Sequence, residues 1–295
     1  MPSHRIVVAG DVIDDVVVVP SVAIRPDTDT PSSIRFRAGG SAANTAAWLG
    51  STGADVDFVG IVGSADAPRH SSLLSQWGVR PHLATSDLPT GTIIVLVEGE
   101  KRAMLTERGA NAIFDPATVT DELLTDAGAL LLTGHSLSGR TTAASLRALI
   151  TRARDLDVPV VVSPGSAGHI ADAGVQTFLQ AFAGATVLLP SLEEAQVITG
   201  IEAPDAAAAA LAEFTPVVVL TNGGHEILVA QGNSVDRVPV TRTDVTDPTG
   251  AGDAFTAGFL AHWVRFGDPA GAANAGAKLA ARSLAIVGGR PASSR

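Results

Sequence analysis

Asp247-Pro248-Thr249-Gly250-Ala251-Gly252-Asp253 runs without a break into Ala254-Phe255-Thr256-Ala257-Gly258-Phe259-Leu260. The first part reads as a turn and the second as the body of a helix, so their junction is a helix N-terminus. Backbone N–H groups there have no acceptor inside the helix, and Gly250, Ala251 and Gly252 leave them uncovered. The helix dipole adds partial positive charge at the same place, which makes the junction a binding point for a phosphate-like anion. Asp253 goes against that charge pattern. A carboxylate facing a phosphate is repulsive unless it takes a proton from a hydroxyl attacking phosphorus. The plainer alternative is that it complements the dipole of an ordinary helix.

The string matches Asp-x-x-Gly-Ala-Gly-Asp at every fixed position and so resembles the second signature of the ribokinase/PfkB family of carbohydrate and nucleoside kinases. Three further segments resemble the family in the right order, and together they cover nearly the whole chain. Ala38-Gly39-Gly40-Ser41-Ala42-Ala43-Asn44-Thr45-Ala46 is similar to the first signature, Gly-Gly-x-x-x-Asn-x-Ala. Ser41 reads as an N-cap and Gly50 as a stop. The paired glycines expose backbone to a ligand, and Asn44 offers both donor and acceptors; a polar residue on an exposed helix face is the alternative. Thr221-Asn222-Gly223-Gly224 is similar to the Thr-x-Gly segment that meets the phosphates of ATP, with a ligand-free turn as the alternative. Leu189-Pro190-Ser191-Leu192-Glu193-Glu194 resembles the Asn-x-x-Glu motif, with Ser191 in place of Asn. A capping box between Ser191 and Glu194 is compatible with that reading.

The resemblance implies a doubly wound, mostly parallel α/β sheet with helices on both faces, formed by residues 1–295 as one domain. It also implies a small β-sheet lid from segments of about 12–37 and 91–107. The implied reaction is transfer of the γ-phosphoryl group of ATP to a hydroxyl of a small sugar or polyol. A nucleoside kinase and a non-catalytic sugar-binding or regulatory protein are the alternatives. Asp253 is then the general base, and the backbone of Gly250, Ala251 and Gly252 the anion hole. Asp15, Gly39, Gly40 and Asn44 would bind the acceptor, with Asp11 and Asp14 as neighbours of the same type. Ser191, Glu194, Thr221, Gly223 and Asn274 would face the nucleotide. Glu194 would handle Mg²⁺ through water, and Asp247 with Thr249 matches positions that hold K⁺ in some relatives. Two departures stand out: Ser41 occupies a position where ribokinases often carry Lys, and His135 replaces an acidic residue after a central strand. His135 either contacts substrate or sits in a loop. Arg102 and Arg108 lie in or beside the lid, either for an anionic substrate or as solvated charges.

Composition narrows the field independently. The chain has 295 residues, 46% hydrophobic and 17% charged, with a formal charge of −10. That balance favours a globule with a sizeable core and disfavours nucleic acid as a partner. There is no cysteine, hence no disulfide, thiolate zinc site or cysteine nucleophile. No apolar run reaches membrane-spanning length, and the expectation is a soluble cytosolic protein. The first strand, Ile6 to Ala9, is followed by Gly10-Asp11-Val12-Ile13, which lacks the glycine spacing of a dinucleotide-binding turn. Walker A and Gly-x-Ser-x-Gly strings are absent as well. From residue 115 onward, strands at 129–133, 158–163, 186–189 and 217–221 alternate with helices at 141–155, 174–182, 191–199 and 205–214, and a last helix spans 271–287. This alternation is the pattern of a parallel α/β sheet, whose ligands bind beyond the strand carboxyl ends. Lid edges favour pairing with a second lid, which predicts a homodimer.

Overall fold

The computed structural model describes residues 4–98 and 101–292, without the side chains of residues 98, 101 and 102. In chain order the strands are β1 (Ile6–Ala9), β2 (Ile13–Pro20), β3 (Ser32–Gly39), β4 (Val56–Gly63), β5 (Val79–Ser86), β6 (Gly91–Glu98) and β7 (Lys101–Glu107). Then come β8 (Ala129–Thr133), β9 (Val160–Ser163), β10 (Val187–Leu188), β11 (Val217–Asn222), β12 (Glu226–Gln231) and β13 (Ser234–Pro239). The helices are α1 (Ser41–Ser51), α2 (Ala67–Ser75), α3 (Asp121–Leu124), α4 (Ala143–Asp155) and α5 (Ala167–Ala173). They continue with α6 (Val175–Ala181), α7 (Leu192–Thr199), α8 (Pro204–Ala212), α9 (Ala251–Phe266) and α10 (Pro269–Leu284).

Every residue of β1 is apolar and fully buried, so neither face of the strand can meet water. Such a strand belongs inside a sheet covered on both sides. Val7 and Ala9 join one core with Leu130 and Leu132 of β8, packed under α4, α6 and α8. Ile6 and Val8 join the other, with Ala129 and Leu131, under α1, α9 and α10. The period-two alternation of strand side chains thus divides the apolar residues between two cores.

The large sheet has the order β13-β12-β11-β10-β9-β8-β1-β4-β5. It is parallel from β11 through β5, while β12 and β13 turn back antiparallel. Strand order reverses at β1, which lies between β8 and β4, so a crevice opens at the carboxyl ends of β1 and β8. A second sheet, β3-β2-β6-β7, rises from the same end through the Gly10–Val12 connection. The architecture is the ribokinase-like one that the sequence resemblance implies.

Some boundaries differ from the sequence reading. The last helix starts at Pro269 rather than 271, because the Asp268 carboxylate accepts from Ala270 N (3.1 Å) and Gly271 N (3.0 Å), and it ends at Leu284. Strand β5 lies outside the sequence reading: it contains Pro81 and alternates only loosely, as an edge strand is free to do. The β12–β13 hairpin turns at Gly232, φ 55°. Among the described residues no helix is long and apolar enough to cross a membrane.

Candidate active site

Helix α9 begins at Gly250, in the left-handed region at φ 79° and ψ 6°. A Cβ there would stand 2.6 Å from Gly289 Cα, so both conformation and space call for glycine. Ala251 N–H is used by Pro248 O at 3.3 Å. Gly252 and Asp253 follow in the first turn, where the helix itself supplies no acceptor; Gly252 is exposed, with nothing within 4 Å of a would-be Cβ. The turn is fixed by Asp247, whose Oδ1 accepts from Thr249 N and whose Oδ2 accepts from Gly288 N, both at 3.0 Å.

Helix α1 packs against α9 and brings the Gly39-Gly40 turn to the same place. Its N-cap is Gly40, φ 91°, and Ser41 does not cap it, contrary to expectation. The Asp11 carboxylate does so from across the crevice, accepting from Ser41 N (2.8 Å), Ala42 N (3.1 Å) and Thr133 Oγ1 (3.1 Å). That frees the Ser41 hydroxyl to donate to Asp253 Oδ1 at 2.6 Å. Asn44 Nδ2 donates to Asp253 Oδ2 at 3.1 Å. Burial pushes the Asp253 carboxyl up to about 7; the Ser41 and Asn44 bonds oppose this, while Asp11 and Asp15 add to it.

The three early aspartates have separate roles. Asp11 is used as the α1 cap. Asp14 faces Arg69, with bonds of 2.8 and 2.5 Å; burial works against its charge, but the His70 and Arg69 contacts hold it well below the usual carboxylate range. Asp15 lies over Gly39, where any Cβ would collide with its carboxylate. Its carboxyl is pushed up to about 6, first by burial and then by Asp11 and Asp14, against the pull of Arg290. Asp15, Gly39, Gly40, Asn44 and Asp253 therefore lie together in one acidic cluster.

Arg290 is the residue the sequence reading missed. Its Nε donates to Asn44 Oδ1 (3.1 Å) and its Nη2 to Gly39 O (3.0 Å). Next to it, Gly289 O accepts from Trp48 Nε1 at 2.9 Å. No motif points to an arginine beyond the final helix; only its fold-back along α1 reveals it.

His135 sits in the turn after β8, and its Nδ1 is buried without a hydrogen-bond partner. Burial lowers its pKa, with His169 and Arg108 acting in the same direction and Asp11 opposing. His169, unforeseen in the sequence, lies with its ring centroid 5.1 Å from that of His135. It bonds Gly134 O (3.1 Å) and approaches Arg108 Nη2 (3.4 Å). The side chain of Arg102 lies outside the described residues.

On the other side of the α9 N-terminus is a cavity of about 510 Å³. Thr221, Gly223 and Gly224 line one end, Pro248, Ala251 and Gly252 another, and Ile227, Val240, Phe255 and Ala280 supply apolar walls. Apolar walls with a few polar groups suit a planar base, and the helix end suits its phosphates. Asn274 is not among the residues that line this cavity. It is exposed on α10, which lines the wall with Ala277, Ala280, Ala281 and Leu284, the first of them the i+3 neighbour of Asn274 on the same helix face. Ser191 and Glu194 form a capping box: Ser191 Oγ accepts from Glu194 N (3.2 Å) and Glu194 Oε2 from Ser191 N (2.8 Å). Ser191 bridges to Thr221, which sets α7 beside the cavity's Thr221 end. Among the described residues no group of three or more His, Asp or Glu could hold a metal. Glu194, its Oε2 used by Ser191 N, is the carboxylate that α7 places at this end.

The model of the pfkB family of carbohydrate kinases matches residues 3–293. The chain belongs to that family. It is 30% identical over 268 residues to the bifunctional protein HldE of Edwardsiella ictaluri, covering 84% of this chain and 53% of that protein. With the Coxiella burnetii HldE it shares 29% over 303 residues, or 95% of this chain and 60% of that one. The chain thus spans little more than half the length of these curated relatives. Among solved structures, an adenosine kinase from Sinorhizobium meliloti superposes with a TM-score of 0.87 at 20% identity, covering 100% of this chain and 97% of that one. A ribokinase from Thermotoga maritima gives 0.83 at 21%, covering 97% and 96%. At those identities the likeness concerns the fold, which this pfkB-family chain shares with both sugar and nucleoside kinases.

Proposed function

We propose that this pfkB-family protein transfers the γ-phosphoryl group of ATP to a hydroxyl of a small sugar or related polyol. One observation carries the reading. The open α9 N-terminus has a nucleotide-sized cavity on one side and, on the other, an acidic cluster with a carboxyl poised near neutral pH. Bound nucleotide supplies the phosphoryl group, and Mg²⁺ offsets its charge. The protein's own part is alignment and proton transfer. Asp253 takes the proton from the attacking hydroxyl as the new O–P bond forms and the bond to the β-phosphate oxygen breaks. The Gly252 and Asp253 N–H groups hold the equatorial oxygens. Asp15 accepts from a neighbouring acceptor hydroxyl, and its clustering with Asp253 fixes which hydroxyl is presented.

Two accessory features belong to the same proposal. Asp247 and Thr249, fixed beside the anion hole, are the candidate K⁺ site; equal rates in K⁺ and in a large inert cation would remove it. The second sheet is the lid and the face for a second copy. Val16 lies opposite both Phe36 and Ile94, and Ile94 opposite Leu105, so these residues form one cross-strand apolar row. Phe36 is 79% exposed and Leu105 61% exposed, an apolar row of the kind a second copy could cover.

The deciding experiment is a coupled ADP-release assay with Mg²⁺ and K⁺ across sugars, sugar acids, sugar phosphates, polyols and nucleosides. A signal on one acceptor that disappears in Asp253→Asn supports the reading and names the substrate. A signal confined to nucleosides replaces sugar by nucleoside. No turnover, with sugars still raising the Tm, favours a binding protein.

A further inference from the structure

Ser41 stands at a position where a cation would face the reaction, and its hydroxyl is used on Asp253. The acidic cluster nevertheless contains a guanidinium, brought in from the far end of the sequence. Arg290 is enclosed by Asp15, Asp14 and Asp253, whose charges raise its pKa, while burial brings it down to about 10. Two of its nitrogens are bound: Nε to Asn44 Oδ1 and Nη2 to Gly39 O. The third, Nη1, is buried and has no hydrogen-bond partner. A buried donor left unpaired costs about 1–3 kcal/mol, and a guanidinium nitrogen has only donors to offer. Its missing partner is therefore an acceptor atom brought to the cluster.

The contact with Asn44 has a second effect. Arginine cannot accept a hydrogen bond, so the Asn44 carbonyl must face Arg290 and its amide must face Asp253. With Ser41 also donating, both Asp253 oxygens are met by donors, the arrangement that favours a carboxylate able to act as base.

We propose that Arg290 is a further residue of the reaction: it sets the Asn44 amide against Asp253 as a positioning residue and turns Nη1 toward an oxygen of the acceptor. The carboxylates acting on Asp253 are Asp11 from the β1 end and Asp15 from β2, and Asp253 in turn acts on Arg290, which also feels Asp14, Asp15 and, more weakly, Arg69; Arg69 itself is taken up by Asp14. The acceptor half of the proposal rests on the kinase reading above; the Asp253 half does not.

The test compares wild type with Arg290→Gln and Arg290→Lys in two arms. The first is acceptor-free: the Asp253 carboxyl is titrated by ¹³C NMR, using Asp253→Asn to assign the signal. Loss of the cation in Arg290→Gln moves the midpoint upward, whereas Arg290→Lys holds it nearer to wild type. The second arm uses whichever acceptor wild type phosphorylates. Arg290→Gln raises the KM for that acceptor about tenfold or more, as loss of a charge-assisted bond would, with the KM for ATP unchanged. The acid limb of its pH–rate profile moves upward with the NMR midpoint. An unchanged Asp253 midpoint together with an unchanged acceptor KM overturns the proposal, as does an equal rise in both KM values. If wild type phosphorylates nothing, the kinase reading fails, and the NMR arm alone decides for or against Arg290. If Arg290→Gln does not fold, Arg290→Lys decides. It retains the charge but cannot span Asn44 and Gly39 together, so an acceptor KM and Asp253 midpoint both equal to wild type refute the role.

Discussion

Replacing Asp253 by Asn should make the protein more stable as the pH rises while it removes activity. Folding raises this carboxyl from its ordinary 3.8 to about 7. Between those values the folded state binds more protons than the unfolded one, so the group's contribution falls with increasing pH and levels off above about 7. At about 1.4 kcal/mol per pH unit, the carboxylate costs the folded state on the order of 4 kcal/mol at pH 8. Asparagine removes that cost. It offers one acceptor where the carboxylate had two: its carbonyl can still take the Asn44 amide, which Arg290 holds in place, but its own amide then faces the Ser41 hydroxyl, whose hydrogen loses its acceptor. Leaving one donor unpaired returns about 1–3 kcal/mol. The net expectation is a variant more stable than wild type by about 1–3 kcal/mol at pH 8 and less stable at pH 4, where the folded carboxyl is protonated and the unfolded one is only about half ionised. Urea unfolding of both proteins from pH 4 to 9 measures the difference directly. The reasoning is refuted if that difference does not change with pH. The companion rate measurement has kcat/KM of wild type rising with pH around 7, and a fall of about 10²–10⁴-fold in the variant.

Gly250→Ala combines a left-handed backbone with a Cβ 2.6 Å from Gly289; a loss of about 1–3 kcal/mol, with ADP release falling in parallel, is expected from thermal melts and the coupled assay. Asp57 has a side chain 4% exposed and joins Arg5 (2.9 Å), Arg80 (2.9 Å) and His82 (2.8 Å). Burial opposes its charge, but the Arg80, His82 and Arg5 contacts hold it well below the usual carboxylate range. Asp57→Asn should therefore cost about 3 kcal/mol at pH 7. Because a depressed carboxyl gives up its stabilisation as pH falls below about 4, urea midpoints of variant and wild type should converge there and not at alkaline pH. Phe36→Glu places a charge on the exposed row of the second sheet. Sedimentation should show dimer for wild type and monomer for the variant, and a monomeric wild type rejects the lid interface.

The parts of this protein that could be read from sequence are those in which local chemistry and neighbouring residues say the same thing. Gly250, Ala251, Gly252 and Asp253 are contiguous, and a helix start is a local event; so is the Ser191–Glu194 capping box. The β1, β8 and β9 strands are apolar on both faces, which leaves them one place in an α/β sheet. What could not be read depends on long-range contacts. Ser41 has the composition of a cap, yet Asp11, 30 positions away, takes that role and redirects the hydroxyl. Arg290 lies 246 positions from Asn44, and nothing in its neighbours marks it. His169 becomes visible only when β8 and β9 lie side by side.

Residues 288–290 touch Asp247, Trp48, Asn44 and Gly39, and crowd Gly250. All of those partners are made earlier by the ribosome. A released chain that stops short of residue 288 still carries every buried residue of both cores and all the strands, yet it lacks the strap that joins its two glycine turns. Shape and the proposed chemistry are thereby separable, and such a truncated copy is expected to be folded but inert rather than partly active.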